Sequence, residues 1–133
     1  MAYEIPGFKL TLPAGADLSA AANQYRWVQV DSSGNCVLSG DDDALTVGIL
    51  QNHPALGEEA EIMCSGVSKF RAADATALAA GALIGPDAGG NSEAKSAVTD
   101  VVYGVVVLAA PSATPGSIGS VLLGFQGKFA AQS

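Results

Sequence analysis

The pattern of apolar and polar residues predicts a chain of short β-strands separated by turns. Phe8, Leu10 and Leu12 alternate with polar residues, and so do the residues of 25–30, YRWVQV. A period of two residues is typical of a strand with one buried face. Apolar runs broken by one glycine follow at 45–50 and 98–108, and further strands are predicted at 35–38, 59–63 and 120–125. Helical periodicity is almost absent, so we expect an all-β fold, a compact barrel or sandwich, with at most one or two short helices.

The same succession of strands and turns occurs twice. Residues 45–70 and 101–129 each contain an apolar run with one glycine (Gly48 and Gly104), a crossing with a proline, a glycine turn and a closing Lys-Phe pair. An Asp-x-x-Gly-Asn hairpin signal precedes each copy, at 31–35 and 87–91. The offset between the copies is 56 residues before the crossing and 59 after it, because the second crossing is three residues longer. The sequence therefore predicts two pseudo-repeats, at about 24–70 and 80–129, within a single domain at 17–133.

Residues 1–16 are predicted to form an extended N-terminal arm. Pro6, Gly7, Pro13 and Gly15 are incompatible with a helix. Tyr3, Ile5 and Phe8 are large apolar side chains that need a surface to lie on, and we predict that they contact a partner. The alternative is that the arm packs on its own domain.

Two short segments carry a helical signal. Residues 17–23 are rich in Ala and begin with Asp17, and they predict one helical turn. Residues 72–80 predict either a short helix or an irregular linker between the repeats.

The composition of the chain limits the classes of function that it can have. Its 133 residues carry a net charge of −7, and only 14% of them are charged. Nucleic acids and anionic membranes bind basic surfaces, so neither is an expected partner. So little charge indicates that part of the surface is covered in an assembly. The first residues lack the features of a signal peptide, and 101–110 is too short to span a bilayer.

No residue pattern predicts catalysis, a cofactor or a metal site. The acidic run 41–43 has no glutamate at the spacing of a calcium-binding loop, so a solvated turn is the preferred reading. His53 is the single histidine, and with Glu58 and Glu59 it forms a weak metal motif that we read as an ordinary loop. Cys36 and Cys64 are expected to be free thiols, with one disulfide as the alternative.

The ordered motifs of residues 14–124 resemble the capsid decoration, or cement, proteins of tailed bacteriophages. They include the two Asp-x-x-Gly hairpins, the turn VGILQNHPALGE and the strand end SGVSK. The resemblance implies a non-enzymatic virion protein on the outer capsid surface. It would bind the major capsid protein and stabilise the shell, commonly as a homotrimer, after synthesis in the host cytoplasm.

Two other functions remain open at the level of the sequence. One is a different structural subunit of the virion, in the tail or a head fibre. The other is a carbohydrate-binding β-module, which would need exposed aromatic side chains. Only four tyrosine and tryptophan residues could supply them: Tyr3, Tyr25, Trp27 and Tyr103.

Overall fold

The computed structural model describes residues 2–40, 46–73, 78–97, 99–110 and 115–129. The side chains of 125–129 are not described. The acidic run 41–43 and the middle of the predicted helix or linker at 72–80 lie outside the described residues.

The described chain is almost entirely β-structure. The helical turn expected at 17–23 is a 3₁₀ turn at Ala21–Asn23. The strands are β1 (Ile5–Pro6), β2 (Lys9–Pro13), β3 (Trp27–Val30), β4 (Cys36–Leu38), β5 (Thr46–Leu50), β6 (Glu59–Met63), β7 (Gly66–Arg71), β8 (Leu83–Pro86), β9 (Ser92–Ala94), β10 (Val101–Leu108) and β11 (Ile118–Phe129). The all-β prediction is confirmed. Strands β1 and β7 were not among the predicted strands, and the bounds of the predicted strands differ from the observed ones by a few residues.

Two antiparallel sheets pack as a sandwich. The six-stranded sheet has the order β1-β7-β11-β10-β8-β9, and the five-stranded sheet has the order β2-β6-β5-β3-β4. A buried cluster joins them: Trp27, Ile49 and Met63 of the five-stranded sheet pack with Phe70, Val106 and other residues of the six-stranded sheet. A second cluster lies on the opposite face of the five-stranded sheet. It comprises Leu18, Val28, Cys36, Leu50, Ala60 and Ile62.

The two sheets repeat the same pairing scheme. Without β1, the order β7-β11-β10-β8-β9 matches β2-β6-β5-β3-β4 strand for strand. The registers match as well: Val28 pairs with Leu38 and Gly48, while Ile84, 56 positions later, pairs with Ala94 and Gly104. We call β2–β6 the first unit and β7–β11 the second unit.

The loops of the two units also make equivalent hydrogen bonds, each within its own unit. Oδ1 of Asp31 accepts bonds from the backbone N–H of Ser33 and Asn35, each at 2.9 Å. Oδ1 of Asp87 accepts the same pair of bonds from Gly89 and Asn91. The backbone N–H of Gly57 bonds to the carbonyl O of Ala14, and that of Gly116 bonds to Ala72. These bonds fix the turns at which each unit changes direction.

One part of the sequence repeat, the Lys-Phe pair, does not occupy equivalent positions in the two sheets. Lys69-Phe70 belongs to β7 and pairs with Ser120 and Gly119, whereas Lys128-Phe129 pairs with Val102 and Val101. The counterpart of β7 is β2, in the segment assigned to the arm. That residues 1–16 are a separable arm and 17–133 a single domain stays a prediction.

Candidate interaction surfaces

The N-terminal segment is hydrogen-bonded to the rest of the chain. Ile5 and Pro6 pair with Val67 and Gly66, and Lys9–Pro13 pairs along β6. The hydroxyl of Ser120 accepts a bond from the N–H of Tyr3 and donates one to its carbonyl O, both at 2.8 Å. The prolines and glycines of the N-terminal segment therefore do not prevent strand formation, because they lie at strand ends and in turns.

The predicted contact residues of this segment remain in solvent even though their backbone is fixed. Tyr3, Ile5 and Phe8 are 44%, 58% and 62% exposed. Apolar side chains on the surface are common singly, but these three lie within six consecutive positions. The backbone of these residues is hydrogen-bonded to the rest of the chain, while their side chains are exposed and available for contact with another molecule.

Ile5 ends a row of apolar residues across one face of the six-stranded sheet. Directly paired residues project to the same side, and the pairings run from Ile5 through Val67, Leu122 and Val105 to Leu83. Leu122 is 40% exposed, and Val105 and Leu83 are half-buried. We call Leu83, Val105 and Leu122 the outer row. It lies on the face opposite to Val106 and Val121, which belong to the buried cluster.

A cavity of about 400 Å³ opens next to Phe8. The β5–β6 pairing is confined to Ile49–Met63 and Leu50–Ile62, and the cavity lies beyond it, at Gly48 and Cys64. Its lining residues are Phe8, Leu10, Trp27, Thr46, Val47, Gly48, Cys64, Tyr103, Leu123 and Gly124. Most of these side chains are apolar, which suits an apolar group of a partner better than a charged ligand.

Cys36 and Cys64 are both free thiols. Burial, with a smaller contribution from Asp31, raises the pKa of Cys36 to about 12, and burial also raises the pKa of Cys64. A thiolate is the reactive form, so both groups are weak nucleophiles at neutral pH. The preferred prediction of free thiols agrees with the structure.

The aromatic residues do not form the platform that a carbohydrate-binding module needs. Trp27 and Tyr103 are 1% and 5% exposed and pack against each other, with ring centroids 6.0 Å apart. Tyr25 is half-buried and lies under the ammonium group of Lys69, at 5.7 Å. Tyr3 is the one exposed ring of the four, so stacking on a row of sugar rings has no structural support here.

The loop around His53 has no assembled metal site. Nδ1 of His53 lies 3.1 Å from the carbonyl O of Ser19, and Oε1 of Glu58 accepts a bond from the N–H of Ala55. Within the described ranges, no three His, Cys, Asp or Glu side chains converge as a set of ligands. No described helix is long and apolar enough to cross a membrane.

An all-β sandwich with fixed backbone and clustered exposed apolar side chains is typical of a protein that acts by binding other proteins. The family model of the phage cement protein matches residues 9–123, and the chain belongs to this family. Membership implies a structural role in association with the phage capsid. A search among curated proteins found no match.

Proposed function

We propose that the protein binds the outer surface of the shell formed by the major capsid protein and stabilises that shell. Its membership of the phage cement family supports an association with the capsid. The observation that carries the proposal is the exposure of Tyr3, Ile5 and Phe8 on a backbone that is already paired. These residues supply intermolecular contacts once the subunit sits on the shell.

Because the backbone around Tyr3, Ile5 and Phe8 is already paired, binding through these side chains costs little conformational entropy. Burying one such apolar side chain contributes roughly 1.5–3 kcal/mol. Ordering a loose arm would offset much of that gain, but Ile5 is already held by Val67 and Tyr3 by Ser120. A modest contact per subunit is sufficient, because many subunits on one shell act together.

The charge distribution favours a partner surface with basic residues. Glu58, Glu59 and Glu61 are all exposed, and they lie at or next to β6. The chain carries a net charge of −7. Complementary charge raises the rate of encounter and selects the orientation of docking more than it adds affinity. We therefore expect attachment to weaken as the salt concentration rises.

We further propose that the protein acts as a homotrimer on the shell. The low charge content, 14% of residues, agrees with a surface that is partly covered in an assembly. Symmetric association at a three-fold position would bring three copies together at high local concentration, so the isolated chain need not be trimeric.

Reconstitution on shells that lack the protein tests this proposal. Purified full-length protein is added to such shells, and binding is measured by co-sedimentation, position by electron microscopy and shell stability by the temperature of rupture. We expect binding to the outer surface and a higher rupture temperature. Replacing Tyr3, Ile5 and Phe8 by serine should lower both.

Leu56→Ser is the matched control, because Leu56 is 68% exposed but lies in the crossing loop before Gly57. It should bind as the wild type does. Density on the tail or a head fibre, or failure of the wild-type protein to bind shells, would contradict the proposed function.

A further inference from the structure

Strands β1 and β2 together border both sheets. Strand β2 pairs along β6 at the edge of the five-stranded sheet, and β1 continues in the same antiparallel register along β7, at the edge of the six-stranded sheet. An edge strand presents unpaired N–H and C=O groups on its outer side, and these groups are a template for pairing with another chain. The N-terminal segment therefore offers its backbone as well as its exposed side chains.

The hydrogen bonds at the two ends of β2 show which of its backbone groups point outward. The carbonyl O of Phe8 accepts a bond from the N–H of Cys64, and the N–H of Ala14 donates to the carbonyl O of Glu58. Residues bonded to the neighbouring strand alternate with residues that face away from it, so the even-numbered residues of β2 face β6. The residues that face away are Lys9, Thr11 and Pro13.

This outer edge of β2 is open. Among the described residues, no acceptor bonds to the N–H of Lys9 or of Thr11. Pro13 has no N–H to satisfy, and a proline in a strand is tolerated where its nitrogen faces the open edge. The side chains of all three residues are exposed. Two backbone donors and the carbonyl groups beside them are thus available to a partner.

The equivalent edge of the second unit belongs to β7, and it is occupied. The counterparts of Lys9 and Pro13, 58 positions later, are Val67 and Arg71. Val67 pairs with β1, and the N–H of Arg71 donates a 3.2 Å bond to the carbonyl O of Tyr25. The chain itself therefore shows what this edge binds in the second unit, which is a short extended segment.

The opposite edges of the two sheets are closed at their first residues. The N–H of Gly15 donates to the carbonyl O of Cys36 in β4, and that of Ala73 donates to Ser92 in β9. These two strands have only three residues each. A second copy thus offers β2 no long open edge, among its described residues, except its own β1–β2 edge. Such a contact is two-fold, whereas the proposed trimer needs a three-fold arrangement, so the edge is better suited to a different protein.

The charge beside the edge favours a basic partner segment. Thr11 pairs with Glu61, and Pro13 pairs with Glu59. Both glutamates are exposed, and directly paired residues project to the same side of a sheet. A strand added beside β2 would lie about 10 Å from β6, across one intervening strand. The long side chain of a lysine or arginine on such a strand reaches over the short Thr11 to Glu61.

We infer that an extended segment of the major capsid protein, bearing lysine or arginine, pairs with the outer edge of β2 as an added strand. Bonds to the backbone of Lys9 and Thr11 hold this segment, and its basic side chains meet the glutamates of β6. The edge is continuous with Ile5 and Phe8, the contact residues of the proposed function. The inference rests on that function for the identity of the partner and adds the mode of recognition, in which backbone bonds provide affinity and side chains provide specificity.

Thr11→Pro and Thr11→Val separate the backbone group from the side chain. Thr11→Pro removes an N–H that has no acceptor among the described residues, and Pro13 already occupies an equivalent place in β2. Its melting temperature should therefore stay within about 5 °C of the wild type. Its affinity for shells in co-sedimentation should fall at least about tenfold. Thr11→Val keeps the N–H and should bind as the wild type does. Equal binding of Thr11→Pro would overturn the inference.

Amide hydrogen exchange tests the edge without any substitution. In the free protein the N–H groups of Lys9 and Thr11 should exchange fast, whereas those of Leu10 and Leu12, which face β6, should be protected. Slow exchange at Lys9 and Thr11 in the free protein would show that the edge is closed and would overturn the inference. On shells, their exchange should slow to the rate of Leu10. Unchanged exchange on bound shells would reject the added strand alone, whereas wild-type protein that ignores shells would reject the proposed function.

Crosslinking of Thr11→Cys tests a second copy as the occupant. In a two-fold pairing of β2 with its copy, residue 11 lies at the centre of the outward residues of both strands. A short bismaleimide would then link the Thr11→Cys chain to itself, both on shells and in solution. Wild-type protein, whose only thiols are Cys36 and Cys64, is the control. Such a dimer would assign the edge to a second copy and overturn the inference, and its absence beside a protected edge would support the capsid protein.

Discussion

The indole Nε1–H of Trp27 donates a 2.7 Å hydrogen bond to Oγ of Ser92, a residue 65 positions later in the other unit. Both residues are 1% exposed, so the bond lies in the interior. The backbone of Trp27 makes two further bonds: its N–H donates to the carbonyl O of Gly90, and its carbonyl O accepts from Ser39. Trp27 therefore joins the two units through its side chain and its backbone together.

Loss of this bond should destabilise the fold. Trp27→Phe keeps an aromatic ring but leaves the hydroxyl of Ser92 without its partner in the interior, which costs about 1–3 kcal/mol. The free energy of unfolding in urea measures the effect. In the double variant with Ser92→Ala, the loss should be smaller than the sum of the two single losses. Strict additivity of the two variants would show that the bond contributes nothing.

Gly48 is required because the backbone of β6 passes close to it. A Cβ atom at this position would clash with the carbonyl O of Met63. Gly48→Ala should therefore lower the stability by about 1–3 kcal/mol, the usual cost of overpacking. Gly40→Ala is the matched control, because a Cβ there meets no atom of the described residues within 4 Å. It should be neutral or slightly stabilising. Equal melting temperatures of the two variants would refute the close approach.

The carboxylates of Asp31 and Asp87 hold equivalent turns. Each accepts two backbone N–H bonds, so replacement by alanine should cost about 1 kcal/mol or more for either residue. Because the two turns lie in different units, the losses should add in the double variant. Chemical unfolding measures all three variants. If only one of the two replacements were destabilising, the turns would not be equivalent in energy.

The thiol of Cys36 makes the fold sensitive to alkali. Its pKa is raised from 9.0 to about 12 by burial. Below pH 9 the thiol is neutral in the folded and unfolded chains, so it has no effect on stability. Between pH 9 and about 12 it ionises only in the unfolded chain, and stability should fall as pH rises. Cys36→Ala should unfold with a shallower pH dependence in this range, and an identical dependence would exclude the thiol as a cause.

Most of the fold could be predicted from the sequence, because strand periodicity and the residue types of the turns are local signals. Asp31, Gly34 and their counterparts act through neighbours in the chain, so their hairpins could be predicted locally. The Lys-Phe pairs were misleading, because Lys69 and Lys128 are alike in sequence but differ in pairing partner. The place of β2 as the counterpart of β7 depends on pairing across the sheet, which no local pattern shows.

The candidate surfaces were predictable only in part. The exposure of Tyr3, Ile5 and Phe8 could be inferred from their place among prolines and glycines. The outer row could not, since Val105 and Leu122 lie in apolar runs that predict buried strands. Whether such a strand has one face open depends on what the other unit covers. Met63 has the same place in the β5–β6 pairing as Leu122 has in the β10–β11 pairing, yet Met63 is fully buried and Leu122 is 40% exposed.

Removal of residues 2–8 separates the contribution of the N-terminal segment to binding from its contribution to the fold. The deletion removes β1 but keeps β2, which pairs along the whole of β6. Strand β1 adds only two residues at the edge of its sheet, and Tyr3 makes two hydrogen bonds with the buried hydroxyl of Ser120 in the same sheet. We therefore expect the truncated chain to fold cooperatively, with a loss of stability of about 1–2 kcal/mol.

The deletion should reduce the affinity for shells more than it reduces the stability of the fold. The deletion removes three apolar side chains that are exposed in the free chain, so the lost burial affects the bound state almost alone. Affinity for shells should fall at least about tenfold, a change of about 1.4 kcal/mol, in a co-sedimentation titration. The full-length Leu56→Ser variant should keep its affinity. If the truncated chain binds as tightly as the full chain, these side chains are not a contact surface, and the intermolecular role of the segment is wrong.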